Sequence, residues 1–123
     1  MVARNGQQAK PQIGCYMAYA DAAKLTDYAR NLGVKRSLLV FLLVLRELNC
    51  QRLPFLHEQF PYEGKKPGRG RVTARLTTKA LKTRFEAHIA KHGIGSDEAA
   101  WSLFQAELSE KWLENSLWLW NQS

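Results

Sequence analysis

The order strand, helix, helix occurs twice in this chain, about 58 residues apart, and that repeat limits the possible folds more than any other feature. The first pass begins at Gln12-Ile13-Gly14-Cys15-Tyr16-Met17, whose odd positions are apolar, as a half-buried strand requires. Leu25, Tyr28, Ala29 and Leu32 then fall at i, i+3, i+4 and i+7, and Gly33 stands where a helix ends. A second helix is expected from about Lys35-Arg36-Ser37 to about Cys50. Its centre, Leu38 to Leu45, is apolar all round and should be covered on every side. The second pass has the strand Arg71-Val72-Thr73-Ala74-Arg75-Leu76 and a helix carrying Leu81, Phe85, His88 and Ile89, with a stop at Gly93. Its last helix opens with Ser96 as N-cap and with Asp97 and Glu98 near the positive helix end. Trp101, Phe104, Leu108 and Trp112 line one face of that helix.

One strand-helix-helix unit cannot bury its own core. Two can, if their strands pair antiparallel and the helices close over one face of the ribbon. The expected fold is therefore mainly α with a small two-stranded antiparallel β ribbon. It forms one domain of two units, 11–50 and 71–112, joined by a connector at 51–70. Pro54, Pro61, Pro67, Gly64, Gly68 and Gly70 in that connector break both helix and strand. Residues 1–10 read as an arm and 113–123 as a C-terminal extension. A chain that completes its own ribbon is expected to be a monomer in dilute solution. Gln12, Gly14 and Tyr16 from one strand, with Arg71, Thr73 and Arg75 from the other, would form the outer face. A ribbon of that kind fits the B-DNA major groove.

The charge distribution agrees. Eighteen Lys and Arg against eleven Asp and Glu give +7, but residues 64–92 hold nine basic groups and one acidic, whereas residues 93–123 hold one and five. A basic stretch on a folded domain attracts polyanions, nucleic acid first among them. The eight-residue apolar run is far below the ~20 residues of a membrane span, so no membrane is expected. Met1 to Lys10 is polar and the two cysteines, Cys15 and Cys50, show no metal or redox spacing, so the chain reads as cytoplasmic with free thiols.

The segments Arg71-Val72-Thr73-Ala74-Arg75-Leu76-Thr77 and Gly33-Val34-Lys35-Arg36-Ser37-Leu38-Leu39 resemble the strand and the glycine turn of the ribbon-helix-helix superfamily of bacterial DNA-binding proteins. The superfamily usually supplies one unit per chain. The single-chain tandem, as a pseudo-dimer with a proline-rich connector and a tryptophan-rich tail, resembles the C-terminal domain of the VirC-type virulence proteins of crown-gall bacteria, over roughly residues 11 to 112. That resemblance implies an accessory protein that binds double-stranded DNA near a T-DNA border. It would assist a relaxase in conjugation-like transfer, with a relaxase or a partition-type ATPase as protein partner. It also implies base reading from the strand and phosphate contact from the start of the second helix. Gly14 and Tyr16 stand where the family carries polar readers.

The candidate DNA-binding residues are Gln12, Tyr16, Lys35, Arg36, Lys65, Lys66, Arg69, Arg71, Thr73, Arg75 and Ser96. Arg71, Thr73 and Arg75 are either base readers or a solvated strand face. Lys35-Arg36-Ser37 opens a helix, where cations are unfavourable on dipole grounds, so it is either a phosphate site or plain surface. Lys65-Lys66-Pro67-Gly68-Arg69-Gly70-Arg71 reads as a flexible basic linker against the DNA backbone more readily than as a minor-groove hook. Cys15 and His88 read as core residues; His88 and His92, at i, i+4, lack further ligands for a metal. Trp112, Trp118 and Trp120 either cover an open edge or form a patch for a protein partner. No pattern for catalysis, cofactor or metal stands in the chain. Two further readings are a plasmid or antitoxin-type transcriptional repressor and a recruitment module acting through the Trp-rich end.

Overall fold

Period-two alternation positions the two strands. A computed structural model describes residues 11–122, with side chains through residue 119. The 1–10 arm, Ser123 and the Trp120 side chain lie outside the described residues. Strand β1 (Gln12–Ala18) pairs antiparallel with β2 (Arg69–Arg75), Gln12 opposite Arg75 and Ala18 opposite Arg69. Ile13, Cys15, Met17, Val72, Ala74 and Leu76 are all buried. A slip of one residue would turn every one of them to solvent, so burial fixes the register.

Six helices complete the described chain: α1 (Tyr19–Asn31), α2 (Arg36–Cys50), α3 (Leu53–Gln59), α4 (Lys79–Lys91), α5 (Ser96–Glu110) and α6 (Trp112–Gln122). The protein is thus mainly helical with a small two-stranded antiparallel sheet. The helical spacing is 60 residues rather than 58: α1 and α4 each have 13 residues, α2 and α5 each have 15, and the second pair starts 60 residues after the first. Gly33 and Gly93, at φ 76° and 67°, turn the chain after α1 and α4 by the same pair of hydrogen bonds. Both sit in the left-handed region that glycine enters without steric cost. No helix among the described residues is long and apolar enough to cross a membrane.

Four expectations need correction. The connector is not free of structure, because α3 lies within it; Pro54 sits in the first helical turn, where its missing N–H costs no hydrogen bond. Strand β2 begins at Arg69, two residues before the expected start. Trp112 does not belong to α5, because Lys111 adopts φ 53° and ends that helix, so Trp112 opens α6. Finally α2 is not covered on every side: Leu39, Val40, Leu43 and Val44 are buried, but Leu38 is 44% exposed and Phe41, Leu42 and Leu45 are half-buried.

The spacing of 60 extends to the buried polar groups. Glu47 on α2 and Glu107 on α5 are 2% and 1% exposed. Glu47 accepts hydrogen bonds from the Arg52 and Leu53 backbone N–H groups (3.0 and 2.9 Å) at the start of α3, and its Oε2 lies 2.8 Å from His88 Nε2 of α4. Glu107 accepts from the Leu113 N–H (2.8 Å) at the start of α6, and from the Tyr28 hydroxyl of α1 (2.6 Å). Gln51 and Lys111, also 60 apart, both take positive φ between the helices. Each carboxylate therefore satisfies the orphan N–H of a new helix and fastens it to a first helix from the other half of the chain. Burial and the bond to Glu107 push the Tyr28 phenol well above its ordinary value.

Candidate nucleic-acid interface

With Ile13, Cys15, Met17, Val72 and Ala74 turned into the core, the opposite face of the ribbon carries Gln12, Gly14 and Tyr16 beside Arg75, Thr73 and Arg71, in that pairing order. Its centre is the pair Gly14 and Thr73. A Cβ on Gly14 would sit 2.4 Å from the Val72 carbonyl oxygen and 2.7 Å from the Thr73 methyl, so only glycine allows this close approach. Glycine at that position is thus a requirement of the ribbon, whatever reader it displaces.

The two ends of the face differ. At one end Gln12 and Arg75 are exposed, and Arg75 has no charged or hydrogen-bonding partner among the described residues. At the other end Arg71 donates two hydrogen bonds to Asp97, at 2.6 and 3.2 Å, and lies 5.4 Å from the Tyr16 ring centre. The bond to Asp97 holds the Arg71 guanidinium pKa above its ordinary value. Lys65 Nζ lies 5.8 Å from the same ring. Tyr16 is therefore half-buried beneath two cations, and its backbone N–H donates to the Tyr62 hydroxyl at 2.9 Å. Burial raises the Tyr62 pKa, which keeps that hydroxyl neutral.

The helix starts differ in the same sense. Lys35 is exposed at the N-cap of α2, whose first turn holds no acid. Arg36 bonds the Thr73 carbonyl oxygen at 2.9 Å and Thr26 Oγ1 at 3.5 Å, so it braces the outer edge of β2 from beneath. Helix α5 begins instead with Asp97 and Glu98. Ser96 is its first residue and not its cap; Gly95 holds that place, with its N–H donating to Glu98 Oε1 at 3.0 Å. An added phosphate meets an open N–H terminus and a lysine at α2, but two carboxylates at α5.

The basic linker is only partly free. Lys66 and Arg69 both reach Glu63, at 3.2 and 2.7 Å, and Arg69 also donates to the Gly64 carbonyl and lies over the Trp101 ring at 5.3 Å. Lys66 holds the Glu63 carboxyl below its ordinary range, with Arg69 adding to the effect. Lys65 has no acidic partner among the described residues. Cys15, read as core, is fully buried, and burial pushes its thiol up to about 12, so it stays protonated. His88, read as packing, is buried against Glu47.

Sequence reasoning missed Asp97 as the partner of Arg71, Tyr62 on the β1 edge and the two buried glutamates. The glutamates had a signal, a lone acid inside the apolar stretch Leu38–Leu48 and another 60 residues later. Asp97 had none, because an acid in a first helical turn is explained by the helix dipole alone. Comparison with protein-family models, curated proteins and solved structures gives no match for this chain.

Proposed function

We propose that this chain is a non-enzymatic double-stranded DNA-binding module, a single-chain tandem of two ribbon-helix-helix units. In this reading the ribbon enters the major groove and the start of α2 contacts phosphate. The observation that carries it is the outer ribbon face, where Gln12 of β1 and Arg75 of β2, which has no partner among the described residues, stand opposite each other on a ribbon whose inward residues are buried. The 60-residue spacing of helices, glycine turns and buried clasps supports the tandem. Contact is one-sided: Gln12, Arg75 and Lys35 are the open readers and grips, whereas Arg71 must leave Asp97 before it can reach a base. Arg36 serves the ribbon's geometry, and Lys65 is the linker residue most available to the backbone.

The setting implied by the family resemblance, an accessory protein assisting relaxase processing of plasmid or T-DNA border DNA in a bacterial cytoplasm, belongs to the same proposal. Salt titration of binding to specific and random duplexes tests the mechanism, since each phosphate contact adds about −0.9 to the slope of log K against log salt. A slope near zero ends the DNA reading. Footprinting then separates the settings: protection beside a transfer origin or border fits the accessory role, and protection of a promoter palindrome fits a repressor.

A further inference from the structure

Arg71 and Asp97 are 42% and 38% exposed, and an ion pair so open to solvent contributes little to stability. The pair is nevertheless held from several sides. Both terminal nitrogens of Arg71 on β2 donate to the two Asp97 oxygens in the first turn of α5, at 2.6 and 3.2 Å. The guanidinium also lies 5.4 Å from the Tyr16 ring centre on the neighbouring strand, and the Tyr62 hydroxyl fixes the Tyr16 N–H. Glu98, the other acid of that turn, is engaged elsewhere: it accepts from the Gly95 N–H at 3.0 Å and lies 3.6 Å from His57. Asp97 is therefore the acid of the α5 start that serves Arg71.

The matching place on the other half carries no such acid. Sixty residues before Asp97 stands Ser37, which borders one cleft with Arg75, and the first turn of α2 holds no acidic residue. The two outward arginines of β2 thus face equivalent helix starts of unlike chemistry, Arg75 a hydroxyl and Arg71 a carboxylate. An open guanidinium takes a phosphate or a base edge alike. For Arg71 the two ligands differ. A phosphate matches the two-point geometry but brings a second negative charge against Asp97, and like charges placed together are costly. A guanine edge offers the same two acceptors, O6 and N7, without net charge, so the exchange keeps both hydrogen bonds and adds no such repulsion.

We propose that Asp97 is a specificity-determining residue of the ribbon, which reserves Arg71 for a guanine edge in the major groove and denies it to phosphate. This role rests on the DNA-binding reading above and divides the work between two arginines of one strand. Arg75 binds in every duplex, whereas Arg71 adds to binding only where a guanine lies under its end of the ribbon. Asp97 touches no base and acts through Arg71, while Tyr16 keeps the guanidinium on the outer face as its partner changes.

The experiment compares, at one salt concentration, binding of the full chain and its variants to a random duplex and to a duplex that the parent selects from a randomised pool. Removing an exposed clamp of this kind is worth about two- to five-fold in affinity. Asp97→Asn should tighten binding to the random duplex by about that factor and to the selected duplex by less, so the ratio between them falls. Asp97→Ser, which copies Ser37 of α2, should do the same, and thermal midpoints near that of the parent confirm that both variants fold. In an Arg71→Ala background the Asp97→Asn change should leave the ratio where it is, because Asp97 then holds no arginine. A parent that binds neither duplex ends the DNA reading and this role with it. A parent that binds both duplexes equally, or an Asp97→Asn variant that tightens both by the same factor, leaves the DNA reading standing and overturns the role of Asp97. A ratio that falls as far without Arg71 as with it also overturns that role, since Asp97 then acts on DNA as a bare charge.

Discussion

The first half of the chain, through α3, and the second, from β2 onward, agree inside and disagree outside. Inside, a carboxylate in the last turn of the second helix caps the third helix and reaches a donor on the other half's first helix: Glu47 with His88, Glu107 with Tyr28. Outside, the α2 start is basic where the α5 start is acidic, and α2 exposes Leu38 where α5 carries Glu98. The interior must be solved twice in the same way, because each half needs its helices tied across the ribbon. The surfaces are under no such constraint, so under the proposed function a double-stranded ligand would meet two unlike half-sites. Where the halves agree the reason is stability, and where they differ the reason is to be sought in what binds.

The largest expected effect tests the shared interior. Glu47→Ala strands two backbone N–H groups and His88 without their acceptor, and Glu107→Ala strands the Leu113 N–H and the Tyr28 hydroxyl. Leaving a buried donor without its acceptor costs roughly 1–3 kcal/mol, and each variant strands at least two, so both should show large drops in denaturant midpoint. A loss confined to one of them would mean that the two clasps are not equivalent. Next comes the ribbon core, where Leu76→Ala should lower stability by about 2–5 kcal/mol through the cavity it leaves. If Leu76→Ala were neutral while Arg75→Ala unfolded the chain, the register of β2 would have to be shifted by one.

How far the sequence carried this picture follows the range of the forces concerned. Alternation at Ile13, Cys15 and Met17 and at Val72, Ala74 and Leu76 is a local signal, and it fixed the strands and the outer face. Glycine stops at Gly33 and Gly93 are equally local, and they delimited the helices. Helix α3 escaped because proline was read as a breaker without regard to its place in the first turn. The Arg71–Asp97 clamp spans 26 residues and Tyr28–Glu107 spans 79, and no periodicity announces a pairing that only the packed fold creates. The exposure of Leu38 on α2 was invisible for the same reason, since an apolar run does not say which of its faces will meet solvent.

The unlike outer faces predict unlike responses to DNA. Arg75→Ala removes a free guanidinium beside Gln12 and should weaken binding by roughly 1–3 kcal/mol while leaving stability unchanged. Arg71→Ala should cost less than Arg75→Ala, because binding through Arg71 must first break its bonds to Asp97. Asp97→Asn sharpens the contrast: it frees Arg71 and removes a charge from the α5 start, so affinity should rise and the salt slope steepen. Duplex titrations that ranked Arg71→Ala as the more damaging variant would reverse the assignment of the open end.

The smallest effect belongs to a contact found only once. Arg52, just before α3, donates to both Glu110 oxygens at 2.9 and 2.5 Å, whereas the positions 60 residues away hold Trp112 and Cys50 and cannot form an ion pair. The hydrogen bond from Arg52 is the main reason the Glu110 pKa is lowered, with Arg46 adding to it, and the same bond raises that of Arg52. A carboxyl whose folded pKa lies below its unfolded value favours the folded state once pH exceeds the unfolded pKa, near 4.3, and that stabilisation fades as pH falls through the folded pKa. Both side chains are about one-third exposed, so solvent screening limits the pair to about 1 kcal/mol even with two-point geometry. Glu110→Gln should therefore lower stability by that amount at pH 7 and by progressively less below pH 4, so that the parent and variant unfolding curves converge in acid. Curves that stayed parallel from pH 7 to pH 3 would mean that Arg52 gains nothing from the ionised carboxylate, and the asymmetry between the halves would then rest on the outer surfaces alone.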